Sequence, residues 1–202
     1  ALVLEEAAAL GTGYPWRAVA LLVAGAALLF AGLDAHLPQR EFGAANRVTL
    51  ARAVMVVLLL AMAGETRIPA VAAFAIAVVA ATLDIVDGRL ARGRGISSPF
   101  GARFDMETDA LLILALSLLL WLGGKLGPWV LAAGLLRPAF ALARAMTPRL
   151  RVELAPSRRR LGMAVVLVVS LLTAFAPFAP PLPAAVAAAI GLTCVAASFA
   201  AD

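Results

Sequence analysis

The sequence predicts an all-α fold, a polytopic integral membrane helix bundle, and three observations carry that prediction. Of its 202 residues, 63% are hydrophobic and only 14% charged, whereas a soluble domain is nearer half apolar and a quarter charged. The mean hydropathy is +0.99, and the apolar residues gather into seven runs near the length that crosses a bilayer. Between the runs lie short clusters of Gly, Pro and polar residues, the composition of turns.

The runs follow in order. Residues 16–33 open at Trp16 and carry no charge after Arg17. Their flank has Glu5 and Glu6 instead of a basic leader, so they read as a retained span and not a signal peptide. Residues 37–46 are polar enough to lie along the membrane surface. Residues 47–64 take in Arg47 and Arg52, then turn apolar up to Gly64. Residues 68–88 start beside Pro69 and finish on Asp84, Asp87 and Gly88. Residues 103–122 start on Arg103, Asp105 and Asp109 and end ahead of Gly123 and Gly124. Residues 126–146 are interrupted by Pro138, and residues 161–178 and 182–200 are divided by Pro177, Pro180 and Pro181. Each run is apolar round most of its circumference, as membrane helices are. Trp16, Trp121 and Trp129 fall near span ends, where an aromatic belt anchors them.

Charge fixes the sidedness. The net charge is +5, and Arg supplies all but one of the 17 basic residues. Two connections are Arg-rich, one with Arg89, Arg92, Arg94 and Arg103, the other with Arg144, Arg149, Arg151, Arg158, Arg159 and Arg160. The three short turns carry only Arg67 and Lys125. The positive-inside bias therefore puts both Arg-rich connections in the cytoplasm, and alternation of the spans demands the same assignment. The expected location is the inner, cytoplasmic membrane, multi-pass, with the functional face inward. The basic residues are not interleaved with aromatics, so no nucleic-acid platform is expected. The single cysteine, Cys194, excludes a disulfide framework and a Cys-based zinc site. The single histidine, His36, falls on a loop with no nucleophile motif around it.

Four aspartates stand out against this background. Asp84 and Asp87 close the third run, and Asp105 and Asp109 open the fourth, so topology alone brings both pairs to the same depth. The pairs are spaced i, i+3 and i, i+4, which places each pair on one face of its helix. Gly88 and Ala91 continue the first face, and Gly101 the second; small residues there allow close approach. Four carboxylates need counter-charge. Aspartate oxygens suit a hard divalent cation, Mg²⁺ or Mn²⁺, and two such ions are a standard device for displacement at phosphorus. Arginine could supply part of the compensation, and Arg89, Arg92, Arg94 and Arg103 form a phosphate-receptive rim. An acidic cluster of this kind in a membrane protein is a functional site by default.

These residues resemble the signature of the CDP-alcohol phosphotransferases (CDP-alcohol phosphatidyltransferases), D-x2-D-G-x2-A-R-x8-G-x3-D-x3-D. Asp84, Asp87, Gly88, Ala91, Arg92, Gly101, Asp105 and Asp109 meet all eight fixed positions over 26 residues. A second run, Asn46-x2-Thr49-x2-Arg52, is similar to the family's entry into the preceding helix, with Ala45 where a Pro is usual. The resemblance covers about 46–200. It implies a six-helix family core at 46–202 and, ahead of it, an added N-terminal transmembrane segment with an interfacial stretch at 1–45. It implies transfer of a phosphatidyl group from a CDP-linked lipid donor, CDP-diacylglycerol above all, to an acceptor alcohol, with CMP released. It implies two Mg²⁺ or Mn²⁺ ions on Asp84, Asp87, Asp105 and Asp109, with Asp109 as the general base. Gly88, Ala91, Arg92 and Gly101 would line the CDP site, joined by Asn46, Thr49, Arg52 and Ser98. A homodimer is expected by the same analogy.

The acceptor side is read from charge. Arg137 lies inside a span beside Pro138, where it must face the bundle interior or snorkel. Arg158, Arg159 and Arg160 open the sixth span. Together they could hold a phosphorylated acceptor such as glycerol 3-phosphate or inositol phosphate, although cytoplasmic basic residues also serve topology and anionic lipid. Two competing classes are an intramembrane Mg²⁺-dependent prenyltransferase, which expects two well-separated acidic motifs, and a cation transporter, which expects acids near mid-span in several helices.

Overall fold

The computed structural model describes residues 10–36, 44–94, 99–146 and 158–200. Among them every regular element is a helix: α1 (Gly13–His36), α2 (Ala44–Ala61), α3 (Ala70–Arg94), α4 (Pro99–Leu122), α5 (Leu131–Met146), α6 (Arg158–Phe175) and α7 (Pro181–Ala200), with 3-10 turns at Met62–Gly64 and Pro128–Val130. The all-α fold and its seven helices follow the seven apolar runs. Three of the helical stretches are long and apolar enough to cross a bilayer by themselves, Gly13–Phe30, Ala44–Gly64 and Pro181–Ser198. Two further helices, α3 and α6, contain shorter apolar stretches among the described residues, Ala70–Asp84 and Gly162–Phe175.

The helix boundaries have local causes. Pro69 precedes α3, Pro99 opens α4 and Pro181 opens α7, positions where a missing N–H costs nothing. α6 stops just ahead of Ala176-Pro177, since the residue before proline is pushed out of helical geometry. α4 ends in a Schellman turn: Lys125 N–H donates to Leu120 O at 3.0 Å and Gly124 N–H to Trp121 O at 3.0 Å. Gly124 has φ +69°, the left-handed conformation that glycine adopts without a Cβ penalty.

The chain divides into two compact units, Ala1–Ala115 and Leu116–Asp202, with the boundary inside α4. In the first unit, α1 begins against the end of α2. Arg17 pairs with Glu65, donates through Nε to Ala61 O at 3.1 Å, and Tyr14 Oη donates to Leu58 O at 3.3 Å. The Gly11 N–H donates to Glu65 Oε2 at 2.8 Å. Beyond that clasp α1 exposes Val19, Val23, Leu28 and Phe30, as a lipid-facing helix does. His36, expected on a loop, is the last residue of α1. Residues 37–43 of the expected interfacial stretch lie outside the described residues.

α3 turns Ala73, Ala77 and Ala80 inward, each with no exposed surface. That alanine face lets α2 come close. Helices in lipid gain little from apolar burial itself, so small residues and close van der Waals packing do the holding.

In the second unit, α6 and α7 pack through Leu167, Leu171 and Ala174 on one side and Ala184, Ala188 and Val195 on the other, all buried. Gly191 lies so near α6 that a Cβ there would meet Ser170 Cβ at 2.8 Å and Leu167 Cα at 3.2 Å. The turn after α4 is tied to the turn after α6 by Lys125 Nζ, which donates to Ala176 O. Burial holds the Lys125 ammonium below its ordinary pKa.

Candidate active site

α2 supplies the centre of the site. Asn46, Thr49, Arg52, Val56 and Leu59 recur at helical spacing and are all buried, so one face of α2 is polar at its start and apolar at its end. Thr49 Oγ1 donates to Ala45 O at 3.1 Å. Arg52 is 1% exposed, and a guanidinium keeps its charge in any protein setting. It therefore has to be paired where it lies.

The partners come from α3 and α4. Arg52 Nε donates to Ala80 O at 3.2 Å, across the alanine face. Asp84 stands one turn beyond Ala80 on the same helix, and its Oδ1 is 2.9 Å from Arg52 Nη1. Asp105 Oδ1 is 2.6 Å from the same nitrogen. Asp109, one turn later on α4, accepts from Nη2. One guanidinium thus gathers carboxylates from two helices, leaving these four side chains with a formal excess of two negative charges. Between the two α4 aspartates, Thr108 is buried and its Oγ1 donates to Phe104 O at 2.9 Å. Phe104 stacks on Phe100, with ring centroids 5.9 Å apart.

Asp84, Asp105 and Asp109 each present an oxygen within 4.8 Å of the others. Their side chains are 37%, 39% and 40% exposed, so the cluster has a buried cationic floor and a side open to the surroundings. Hard oxygen donors at this separation, with net negative charge, fit a divalent cation such as Mg²⁺ or Mn²⁺.

The other expected site residues are distributed as follows. Gly101 is half-buried and Arg103 exposed, both in the first turns of α4. Asp87, Gly88, Arg89, Ala91, Arg92 and Arg94 belong to the last turns of α3, but their side chains lie outside the description, and Ser98 lies outside the described residues. Arg137 is half-buried in α5 beside Pro138. Arg158, Arg159 and Arg160 form the first turn of α6, again without described side chains, and residues 147–157 lie outside the described residues.

Sequence reasoning did not place Arg52 under the acids. The signal was the i, i+3 recurrence of Asn46, Thr49 and Arg52, which puts the arginine on the buried face of α2. The Arg17–Glu65 pair was also missed, because a glutamate in a short turn reads as a solvated charge.

A family model described as CDP-alcohol phosphatidyltransferase matches residues 42–199. The match takes in α2 to α7 and leaves α1 outside. No curated protein and no solved structure matches the chain.

Proposed function

Since this chain belongs to the CDP-alcohol phosphatidyltransferase family, multi-pass membrane transferases that move a phosphoalcohol from a CDP-alcohol in phospholipid synthesis, we propose that its donor is CDP-diacylglycerol and its acceptor a phosphorylated alcohol. Glycerol 3-phosphate and inositol phosphate are the two acceptors of that kind to test first. The observation that carries the reading is the convergence of Asp84, Asp105 and Asp109 on Arg52. It sets hard oxygen donors and a fixed cation side by side, as a pyrophosphate-bearing substrate requires.

In this reading Asp84, Asp105 and Asp109, with Asp87, hold two Mg²⁺ or Mn²⁺ ions. Bound there, such ions would supply charge neutralisation for the pyrophosphate and the departing CMP. Asp109 accepts the proton of the acceptor hydroxyl. The acceptor oxygen forms a bond to the lipid-bearing phosphorus, and the phosphorus–oxygen bond to CMP breaks in line with it. Among the described residues no Ser, Cys or His is set up as a nucleophile, which favours direct displacement. Asn46, Thr49, Arg52, Gly88, Ala91, Arg92, Ser98 and Gly101 are assigned to the CDP side, and Arg137, Arg158, Arg159 and Arg160 to the acceptor phosphate. The site faces the cytoplasm of an inner membrane, where CDP and a charged acceptor arrive from water while acyl chains stay in lipid. Residues 1–45 form an added N-terminal segment and 46–202 the transferase domain.

The test is CMP release by the purified chain given CDP-diacylglycerol, Mg²⁺ or Mn²⁺, and a panel of alcohols. Release with glycerol 3-phosphate or inositol phosphate, and not with serine or choline, is expected. Release with an uncharged acceptor alone would overturn the acceptor assignment. No release with any acceptor would overturn the donor assignment.

A further inference from the structure

Three of the carboxylates proposed to hold metal, those of Asp84, Asp105 and Asp109, are each already paired, through Oδ1, with a cation of the chain itself. Arg52 Nη1 lies 2.9 Å from Asp84 Oδ1 and 2.6 Å from Asp105 Oδ1, and Nη2 is paired with Asp109 Oδ1. These are the same three carboxylates whose oxygens lie within 4.8 Å of one another. A divalent ion on those oxygens would approach to about 2.1 Å. An oxygen that accepts from a guanidinium gives less of its charge to a second cation, and two positive charges at this range repel one another, the more so with the guanidinium buried. The guanidinium cannot relieve the conflict by losing a proton.

We infer that Arg52 is a built-in competitor for the divalent cation, so that metal binding at the aspartate cluster is an exchange against the guanidinium. The inference rests on the proposed metal role of these aspartates. The exchange has a defined limit, because the Nε bond to Ala80 O uses the backbone of α3 and no carboxylate. A guanidinium released from the acids stays anchored beside them, as a cation available to an anionic substrate. Arg52 is thus a positioning residue that couples occupancy of the acids to the presentation of positive charge.

The test uses the full chain in detergent and Mn²⁺ as the probe, with free Mn²⁺ counted by electron paramagnetic resonance. Arg52→Gln is expected to bind Mn²⁺ at least about tenfold tighter than the wild type, since removal of a nearby unit charge outweighs the lost ordering. Arg52→Lys, which keeps the charge but not the fork, is expected to fall between them. A purely structural role predicts the opposite order, because loosened carboxylates bind a metal less well. Equal or weaker Mn²⁺ binding in folded Arg52→Gln therefore overturns the exchange, as does absence of Mn²⁺ binding in all three proteins. Should Arg52→Gln not fold, Arg52→Lys decides: tighter than wild type supports the exchange, equal or weaker overturns it. CMP release by the wild type separates this from the functional reading. Release without the Mn²⁺ tightening removes the exchange alone, and tightening without release removes the transferase assignment alone.

Discussion

Asp109 and Asp105 share one guanidinium, yet they are not equivalent. Asp105 and Asp84 sit on the same nitrogen of Arg52, while Asp109 engages the other. Asp109 is also one turn further along α4, and it is the residue proposed above as the general base. Asp109→Asn should lower turnover by about 10²–10⁴-fold, the usual worth of a general base, while CDP binding measured by calorimetry stays within about threefold of wild type. Loss of CDP binding with turnover retained at saturating substrate would contradict the assigned role. The spacing of the four aspartates was legible in the sequence because helical geometry leaves i, i+3 and i, i+4 pairs little choice of direction. The partnership with Arg52 was not, because it depends on how closely α2 approaches α3, and that is set by three alanines with nothing chemically distinctive about them.

At the scale of the element, glycines separate packing from propensity. Gly191 on α7 faces Ser170 and Leu167 of α6 at distances a methyl group cannot share. Gly25 on α1 has nothing within 4 Å of its absent Cβ. Gly191→Ala should destabilise the chain by about 1–3 kcal/mol through overpacking, read as a lower midpoint of thermal unfolding in detergent. Gly25→Ala should be neutral or stabilise by up to about 1 kcal/mol, from helix propensity alone. A Gly191→Ala protein as stable as Gly25→Ala would mean that the α6–α7 contact is looser than described. Element boundaries were legible to within a turn or so where proline marks them. The third run, expected to close at residue 88, continues as helix to Arg94. Glycine costs a helix only about 1 kcal/mol, and Arg89, Arg92 and Arg94 are favourable near its carbonyl end. The fifth run, expected from residue 126, enters α-helical geometry only at Leu131, because Pro128 starts a 3-10 turn first.

At the scale of the whole molecule, the proposed orientation turns on the two Arg-rich connections, and reagent access can check it. In a Cys194→Ala background, cysteine at position 178, where Phe178 is 80% exposed, should react with a membrane-impermeant maleimide in right-side-out vesicles. Cysteine at the exposed position of Arg47 in α2 should react only in inside-out vesicles. The reverse pattern would invert the topology and place the aspartates outside. The seven helices among the described residues, the N-terminal one with them, were legible because each run has to satisfy its backbone internally in lipid. The clasp of Arg17 and Glu65 was not, since it joins residues 48 apart. Arg52 has a last consequence, for biogenesis. α2 emerges from the ribosome with a charge near its middle, worth about 2.5–3.5 kcal/mol against insertion. The acids that compensate it come later, Asp84 on α3 and then Asp105 and Asp109 on α4, the last two 53 and 57 residues on. Alone in the bilayer α2 would therefore be a poor resident, and its charge is met in steps, by α3 first and by α4 after it.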